Sequence, residues 1–551
     1  MKRLLKFIPI VIFIIMSSSS SMVYGFDLGG GHGGDYDTNA YWPAQSNMIR
    51  LSSYGGIQEP FLKFTFTPTS SIVTPPVVGR DGEIYFCTMD EKLYAVNPDG
   101  TEKWSVPCGY VRDGAPVIGA DGTIYVASDA GVMAFDRSGT TKWTYEQGTG
   151  YGSLEMFPTL DIDGNVLITQ INAGGGGGTV YDNYRITCIN KENGTFKWDY
   201  VKSVEQHDGV DLTNKASCAV GSDGTIYVKL GDKFVALNRY GGEKWVSTGG
   251  LFRKYYSKIA IDGTGNIYLT SYHPQYTGEI FCYTADGARK WTAFAENVDI
   301  QDQCAVGPNG TIYAVTGWRS IDYGTGEVSY REGGLFTIDP ITGNATEIYH
   351  DANGIFNSPT IASDGMIYLD DGTALNSSGT KLWKVNGFGK PAIGKDGTIY
   401  YRRTVNGRII LCAYKDRQPG SLEWHTPYYS VDESSGTVTL YVTRNNGADG
   451  SVSVDYETID STAKAGIDYT STSGTLIFGD GEAQKTVTIP INNDRIYTEN
   501  RSFSVQLKNI SGGGSLGSDI YAGVSILEDD AQDYDPPIIE SITPLDNQEN
   551  V

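Results

Sequence analysis

The chain has 551 residues, 65 Asp plus Glu against 42 Lys plus Arg, and a formal net charge of -23. That balance excludes a nucleic acid or an anionic membrane surface as its natural partner. The 69 Gly, 37 Tyr and 21 Pro, with only 19% charged residues, exclude a mainly helical protein, and the length predicts more than one folding unit.

At the start, Lys2, Arg3 and Lys6 precede an apolar run over 7–16, and Met22-Val23-Tyr24-Gly25 ends in a small residue. This is the pattern of an export signal, residues 1–25, cleaved after Gly25. The run is shorter than the roughly 20 residues that span a bilayer, and no later segment reaches that length. Removing three cations takes the formal charge from -23 to -26. Residues 26–40 are a glycine-rich leader. Gly29, Gly31 and Gly34 spell G-x-G-x-x-G there, but with no strand before and no helix after, so the motif reads as leader and not as a nucleotide cradle.

From residue 81 onward the sequence repeats. Asp81-Gly82-Glu83-Ile84-Tyr85 recurs as Asp121-Gly122-Thr123-Ile124-Tyr125, Asp223-Gly224-Thr225-Ile226-Tyr227 and Asp396-Gly397-Thr398-Ile399-Tyr400, with looser copies between. The eight glycines, at 82, 122, 164, 224, 265, 310, 365 and 397, are 40, 42, 60, 41, 45, 55 and 32 residues apart. That is the period of a four-stranded propeller blade with insertions. Asp-Gly suits a tight turn, since Gly accepts positive φ and Asp takes hydrogen bonds from the backbone two residues on. Trp104, Trp143, Trp198, Trp245, Trp291, Trp383 and Trp424 end most units, where a large flat side chain packs neighbouring sheets together.

These units, with Leu93-Tyr94-Ala95-Val96-Asn97-Pro98-Asp99-Gly100-Thr101-Glu102-Lys103-Trp104, resemble the repeat of pyrroloquinoline-quinone-type (PQQ-like) β-propellers over 41–424. Tyr41-Trp42-Pro43 and Leu62-Lys63-Phe64 resemble the opening segment of such proteins, which implies an N-terminal strand that completes the last blade. Eight blades are expected, seven being the alternative. The resemblance admits a quinone-dependent dehydrogenase or a non-catalytic recognition surface. Dehydrogenases of this kind carry a vicinal disulfide and a calcium-linked catalytic Asp. The seven Cys, at 87, 108, 188, 218, 282, 304 and 412, include no adjacent pair and no C-x-x-C, and no catalytic Asp can be assigned. The repeated carboxylates read as turn residues, and most of the thiols as buried and free. The odd count leaves at least one unpaired. No H-E-x-x-H, G-x-S-x-G or phosphate-binding loop occurs. Tyr272, Tyr276 and Trp318 are aromatic candidates for a sugar or peptide contact, and the glycines over 174–178 read as a loop tip.

After Trp424 the Asp-Gly unit disappears and alternating strands over 425–530 predict a β-sandwich. Val454-Asp455-Tyr456-Glu457-Thr458, Ala465-Gly466-Ile467-Asp468-Tyr469, Ser473-Gly474-Thr475-Leu476-Ile477-Phe478 and Ile526-Leu527-Glu528-Asp529-Asp530 resemble a Calx-β domain. Calcium-binding members hold the ion at one end of the sandwich, in carboxylates from its loops, because Ca²⁺ takes six to eight oxygens. The resemblance assigns that role to Glu433, Asp468, Asp494, Glu499, Asp529 and Asp530. Asn493, Thr498 and Arg501 stand where acidic residues are usual, so the expectation is weakened calcium binding or a purely structural sandwich. Residues 531–551 include Asp535-Pro536-Pro537-Ile538 and resemble a linker and the first strand of an Ig-like domain, cut short.

The sequence therefore predicts an all-β protein: a PQQ-like propeller followed by a Calx-β sandwich. Its expected role is that of an exported, extracellular, cell-surface or periplasmic recognition or adhesion protein. A polymer, glycan or protein would bind at the propeller mouth, and calcium in the sandwich. A periplasmic quinone-dependent dehydrogenase and a scaffold for envelope assembly are the alternatives.

Overall fold

The repeats fold as the turn chemistry requires. Gly122 and Gly224 adopt φ of 80° and 78°, a region costly for any residue with a Cβ. Asp121 accepts the Thr123 N–H at 3.0 Å and Asp223 the Thr225 N–H at 2.9 Å. Each such turn joins the first two strands of a four-stranded antiparallel sheet, for example Val117–Ile118, Ile124–Ser128, Gly131–Phe135 and Thr141–Tyr145. The computed structural model describes residues 56–531 except 112–113, 147–157, 173–180, 206–217, 231–232, 248–258, 274–275, 295–299, 301–303, 317, 322–327, 332, 352–357 and 495. Among the described residues there are eight of these sheets, with first strands starting at Val77, Val117, Thr159, Cys218, Ile259, Ala305, Thr360 and Phe388.

The eighth sheet takes its outermost strand from the other end of the unit. Pro60–Phe66 pairs antiparallel with Arg408–Asp416, Phe64 opposite Ala413, as expected for Leu62-Lys63-Phe64. The innermost strand of this sheet, Phe388–Ile393, lies against Val77–Val78 of the first.

The Lys-Trp pair at the end of a unit works in two directions because neighbours on a strand point to opposite faces. Lys142 turns back to its own sheet, with Nζ 2.8 Å from Thr123 Oγ1 and 3.3 Å from the Asp121 carboxylate. Trp143 turns forward, donating from Nε1 to the Lys191 carbonyl of the next sheet at 2.8 Å. Its ring covers Gly194 so closely that an added Cβ would lie 2.6 Å away. Trp104 covers Gly139, Trp198 covers Gly241, Trp245 covers Gly287 and Trp291 covers Gly343 in the same way. Where the Trp is missing, Ile348 covers Gly379 and Phe64 covers Gly100, while Trp383 donates to the Ile57 carbonyl at 2.9 Å. The contact thus passes through all eight sheets and returns to the first.

Among the described residues, those from Arg417 onward form a second compact unit. One sheet contains Gln484–Pro490, Thr437–Asn445, Ser421–Trp424 and Ser515–Leu516; the other contains Tyr428–Asp432, Tyr521–Leu527, Arg501–Ser511, Val452–Asp460 and Ser473–Phe478. Strict alternation along Thr437–Asn445 sends Val438, Leu440 and Val442 into the core between the sheets. Trp424 corrects one expectation. It does not end a propeller unit: Ser421–Trp424 pairs with Thr437–Asn445, and Trp424 is 1% exposed in the sandwich core. The chain divides after Asp416 and not after Trp424.

The export signal, the leader, Tyr41-Trp42-Pro43, the glycines over 174–178 and the Ig-like segment from 532 onward lie outside the described residues. Tyr272, Tyr276 and Trp318 fall in the strands Ile267–His273, Tyr276–Tyr283 and Trp318–Ile321, and their side chains also lie outside the described set.

Candidate metal centre

Strand register builds the acidic end of the sandwich. Tyr428–Asp432 and Tyr521–Leu527 run parallel, with Asp432 opposite Leu527, so the next residues, Glu433 and Glu528, emerge side by side. A single 3₁₀ turn, Glu433–Ser435, closed by Gly436 at φ 73°, holds Glu433 in place. Carboxylate oxygens of Glu433, Glu528 and Asp529 lie within 4.8 Å of one another.

The three carboxylates are not equivalent. Glu433 is 8% exposed, and burial, followed by the charges of Asp494, Glu528 and Asp530, raises its carboxyl above the ordinary range. Glu528 is held below the ordinary range by donors: the Asp530 N–H at 2.9 Å, and the Thr498 hydroxyl and N–H at 2.8 and 2.5 Å. Asp529 accepts the Ser434 N–H at 3.2 Å and the Ser434 hydroxyl.

The other expected ligands are placed differently. Asp468 is 9% exposed and pairs with the Arg501 guanidinium, while its second oxygen accepts the Lys464 N–H at 2.6 Å. Asp494 gives its N–H to Glu433 at 3.1 Å and uses its own carboxylate to accept the Ile496 N–H at 2.7 Å. Glu499 is exposed at the rim of the small pocket shared by Glu433, Asp468 and Glu528. Asp530 donates its N–H to Glu528 and adds its charge at Glu433. Of these three converging carboxylates the sequence reading names Glu433 and Asp529 and does not name Glu528. The signal for Glu528 lies in the parallel register, which only the pairing of two distant strands reveals.

Three carboxylates facing one another, one of them buried, suit a hard cation. Arg501 supplies a positive charge to Asp468 and so takes that residue out of the donor set. The residues present fit calcium at Glu433, Glu528 and Asp529.

The propeller treats its carboxylates differently. Burial alone would raise Asp121, yet Thr123 and Lys142 hold it below the ordinary range. Lys244 approaches Asp223 and Lys63 approaches Asp396, at 3.4 and 2.9 Å. Asp-Gly carboxylates are turn and ion-pair residues, as the sequence predicts.

Residues 415–530 match the family model of the Calx-beta domain, and residues 56–293 match that described as Outer membrane protein assembly factor BamB. Residues 56–293 carry a PQQ-like repeat region and residues 415–530 a Calx-β domain. Sodium/calcium exchanger 1 of Canis lupus familiaris is 37% identical over 120 residues, which is 18% of this chain and 12% of that protein. Sodium/calcium exchanger 2 of Homo sapiens is 39% identical over 118 residues, 18% and 13% of the two chains. This PQQ-like Calx-β protein therefore spans 12% and 13% of the length of these relatives. The solved apo-form Calx CBD1 domain is 33% identical, with 20% of this chain and 97% of that one covered, at a TM-score of 0.20. The calcium binding domain CBD12 of CALX1.1 is 33% identical over 20% of this chain and 44% of that one, also at a TM-score of 0.20. No helix among the described residues is long and apolar enough to cross a membrane.

Proposed function

We propose that this is an exported, non-catalytic recognition protein in which the propeller is the binding head and the Calx-β domain a calcium-binding spacer. The convergence of Glu433, Glu528 and Asp529 carries the calcium part of the reading. Glu433, Glu528 and Asp529 would hold the ion, which when bound would supply positive charge to the three carboxylates. The chain's own part is to present the oxygens from two parallel strand ends and to keep Asp468 occupied with Arg501. The recognition part is supported by the repeats, whose recurring Asp residues are bound up in turns and lysine pairs, leaving ligand contact to the loops around the mouth. The ligand of that mouth is a polymer, a glycan or a protein.

A scanning-calorimetry melt in chelator, in calcium and in calcium with pyrroloquinoline quinone tests this. Calcium at 100 times its Kd is expected to raise the sandwich transition by about 2.7 kcal/mol and leave the propeller transition in place. A propeller shift caused by the quinone would instead establish an oxidoreductase. A second reading, a scaffold for envelope assembly, is favoured by the match of 56–293 to an assembly-factor model. Cross-linking on cells separates a scaffold, which captures envelope proteins, from a head whose ligand is a glycan or another non-protein polymer.

A further inference from the structure

The first sheet brings together two cysteines that are far apart along its hairpins. Cys87 ends the strand Ile84–Cys87, and Cys108 directly follows Glu102–Pro107. The strand Lys92–Val96 lies between them in the sheet. The Cys108 N–H donates to the Glu91 carbonyl at 2.8 Å, which bends the chain over the turn joining Cys87 to Lys92–Val96. The two Sγ atoms are 3.9 Å apart, and the residues are 1% and 0% exposed. A disulfide bond is about 2.0 Å long, so forming one here needs about 2 Å of further approach between the two sulfurs.

We propose that Cys87 and Cys108 form a disulfide when the chain folds in the presence of a small-molecule disulfide. One cysteine thiolate attacks the small disulfide, breaking its S–S bond and releasing one small thiol. The second cysteine, as thiolate, attacks the mixed disulfide and releases the other. The two protein sulfurs are oxidised by two electrons, the small disulfide is reduced to two thiols, and the two protons from the cysteines pass to those thiols. Burial, followed by the adjacent Cys108 sulfur, raises the Cys87 thiol well above its ordinary value. The finished fold therefore keeps Cys87 protonated, and exchange belongs to the folding chain, before the sheet closes over the pair.

The position gives the bond a purpose. The Cys87 carbonyl accepts the Val73 N–H at 2.9 Å, and the neighbouring Ile72 donates to the Ile409 carbonyl of the last sheet at 3.1 Å. The bond would lie beside the segment that links the last sheet to the first and would fasten the end of the outer strand Glu102–Pro107 to Ile84–Cys87, across the intervening Lys92–Val96. The oxidising surroundings it needs are those of the export reading, but the chemistry can be tested without that reading.

The whole chain is refolded with either oxidised or reduced glutathione, then denatured, and its thiols are counted. Seven thiols are expected after reduced refolding, from the seven Cys of the sequence, and five after oxidised refolding, two having been consumed. Peptide mapping is expected to find Cys87 joined to Cys108. Cys108→Ser is expected to keep all six of its remaining thiols in both buffers; if it does not fold, Cys87→Ala takes its place. Seven thiols in oxidised, natively folded chain, or a bond mapped to another pair, overturns the proposal.

Discussion

The propeller and the sandwich use the same side chains to opposite ends. In the repeats, Asp-Gly carboxylates meet a cation: Lys142 for Asp121, Lys244 for Asp223, Lys63 for Asp396. At the end of the sandwich, Glu433, Glu528 and Asp529 face one another. The repeats tie these carboxylates into turns and ion pairs, whereas the end of the sandwich gathers three of them together. A net charge of -23 therefore says little until it is known where the charge is left uncompensated.

The contrast can be broken most heavily on the propeller side. Trp143→Ala removes a ring that is 8% exposed and seals one sheet against the next; a loss of about 3–5 kcal/mol in the propeller transition is expected. Denaturant melts followed by tryptophan fluorescence check this, and a sandwich transition that moves equally would show that the two units do not melt separately. On the sandwich side, Arg501→Ala leaves the buried Asp468 carboxylate without its cation. In chelator this is expected to cost about 3 kcal/mol, and titration calorimetry should show stronger calcium uptake than in the parent, with Asp468 returned to the donor set. An unchanged melt would mean that the pair is not holding the loop.

Glu433→Gln is expected to abolish the calcium-induced rise of about 2.7 kcal/mol at 100 times the parent's Kd, yet to raise the melting temperature in chelator by a few degrees. Because the Glu433 carboxyl is raised in the fold, its contribution to stability is full at low pH and is lost as pH rises through its folded value. The gap between parent and variant in chelator should therefore widen in that direction, and a gap that narrows would contradict the burial argument. Glu528, held below its ordinary value, has the opposite sense: its contribution is lost as pH falls. The smallest effect belongs to an exposed pair, with Lys142→Met expected to cost about 0.5 kcal/mol in the propeller melt and nothing in calcium binding.

Much of the fold was legible because repetition amplifies weak signals. A lone Asp-Gly is only a turn, but six of them, with Thr264-Gly265 and Asn309-Gly310 in step, specify an architecture at a blade-like spacing. Leu62-Lys63-Phe64 could be recognised as the closing strand because Lys63 and Phe64 reproduce the Lys-Trp grammar, one residue reaching Asp396 and the other covering Gly100. The same habit of reading misled at Trp424, where a tryptophan in step with the others belongs to another core. The contact at Gly379 was invisible to a search for tryptophan, because Ile348 makes it chiefly through its backbone carbonyl and not through a ring. Of the three carboxylates gathered at the end of the sandwich, Glu433 and Asp529 were among the residues that the Calx-β resemblance singled out. Glu528 depends on register between strands about a hundred residues apart, and the diversion of Asp468 to Arg501 depends on a loop meeting a strand end.

The closing strand also sets an order of events in time. Pro60–Phe66 is synthesised first among the strands described, yet its partner Arg408–Asp416 comes last in the same unit. Until that partner arrives, the early strand has no neighbour in the eighth sheet and the first sheet lacks Phe64 over Gly100. Pairing over such a sequence separation is slow, so a growing chain passes through a long incomplete interval with sheet edges open to other chains. Closure then serves as a check on completeness: a chain halted before Arg408 has nothing to hold its own beginning, and is marked as unfinished by the strand it cannot put away.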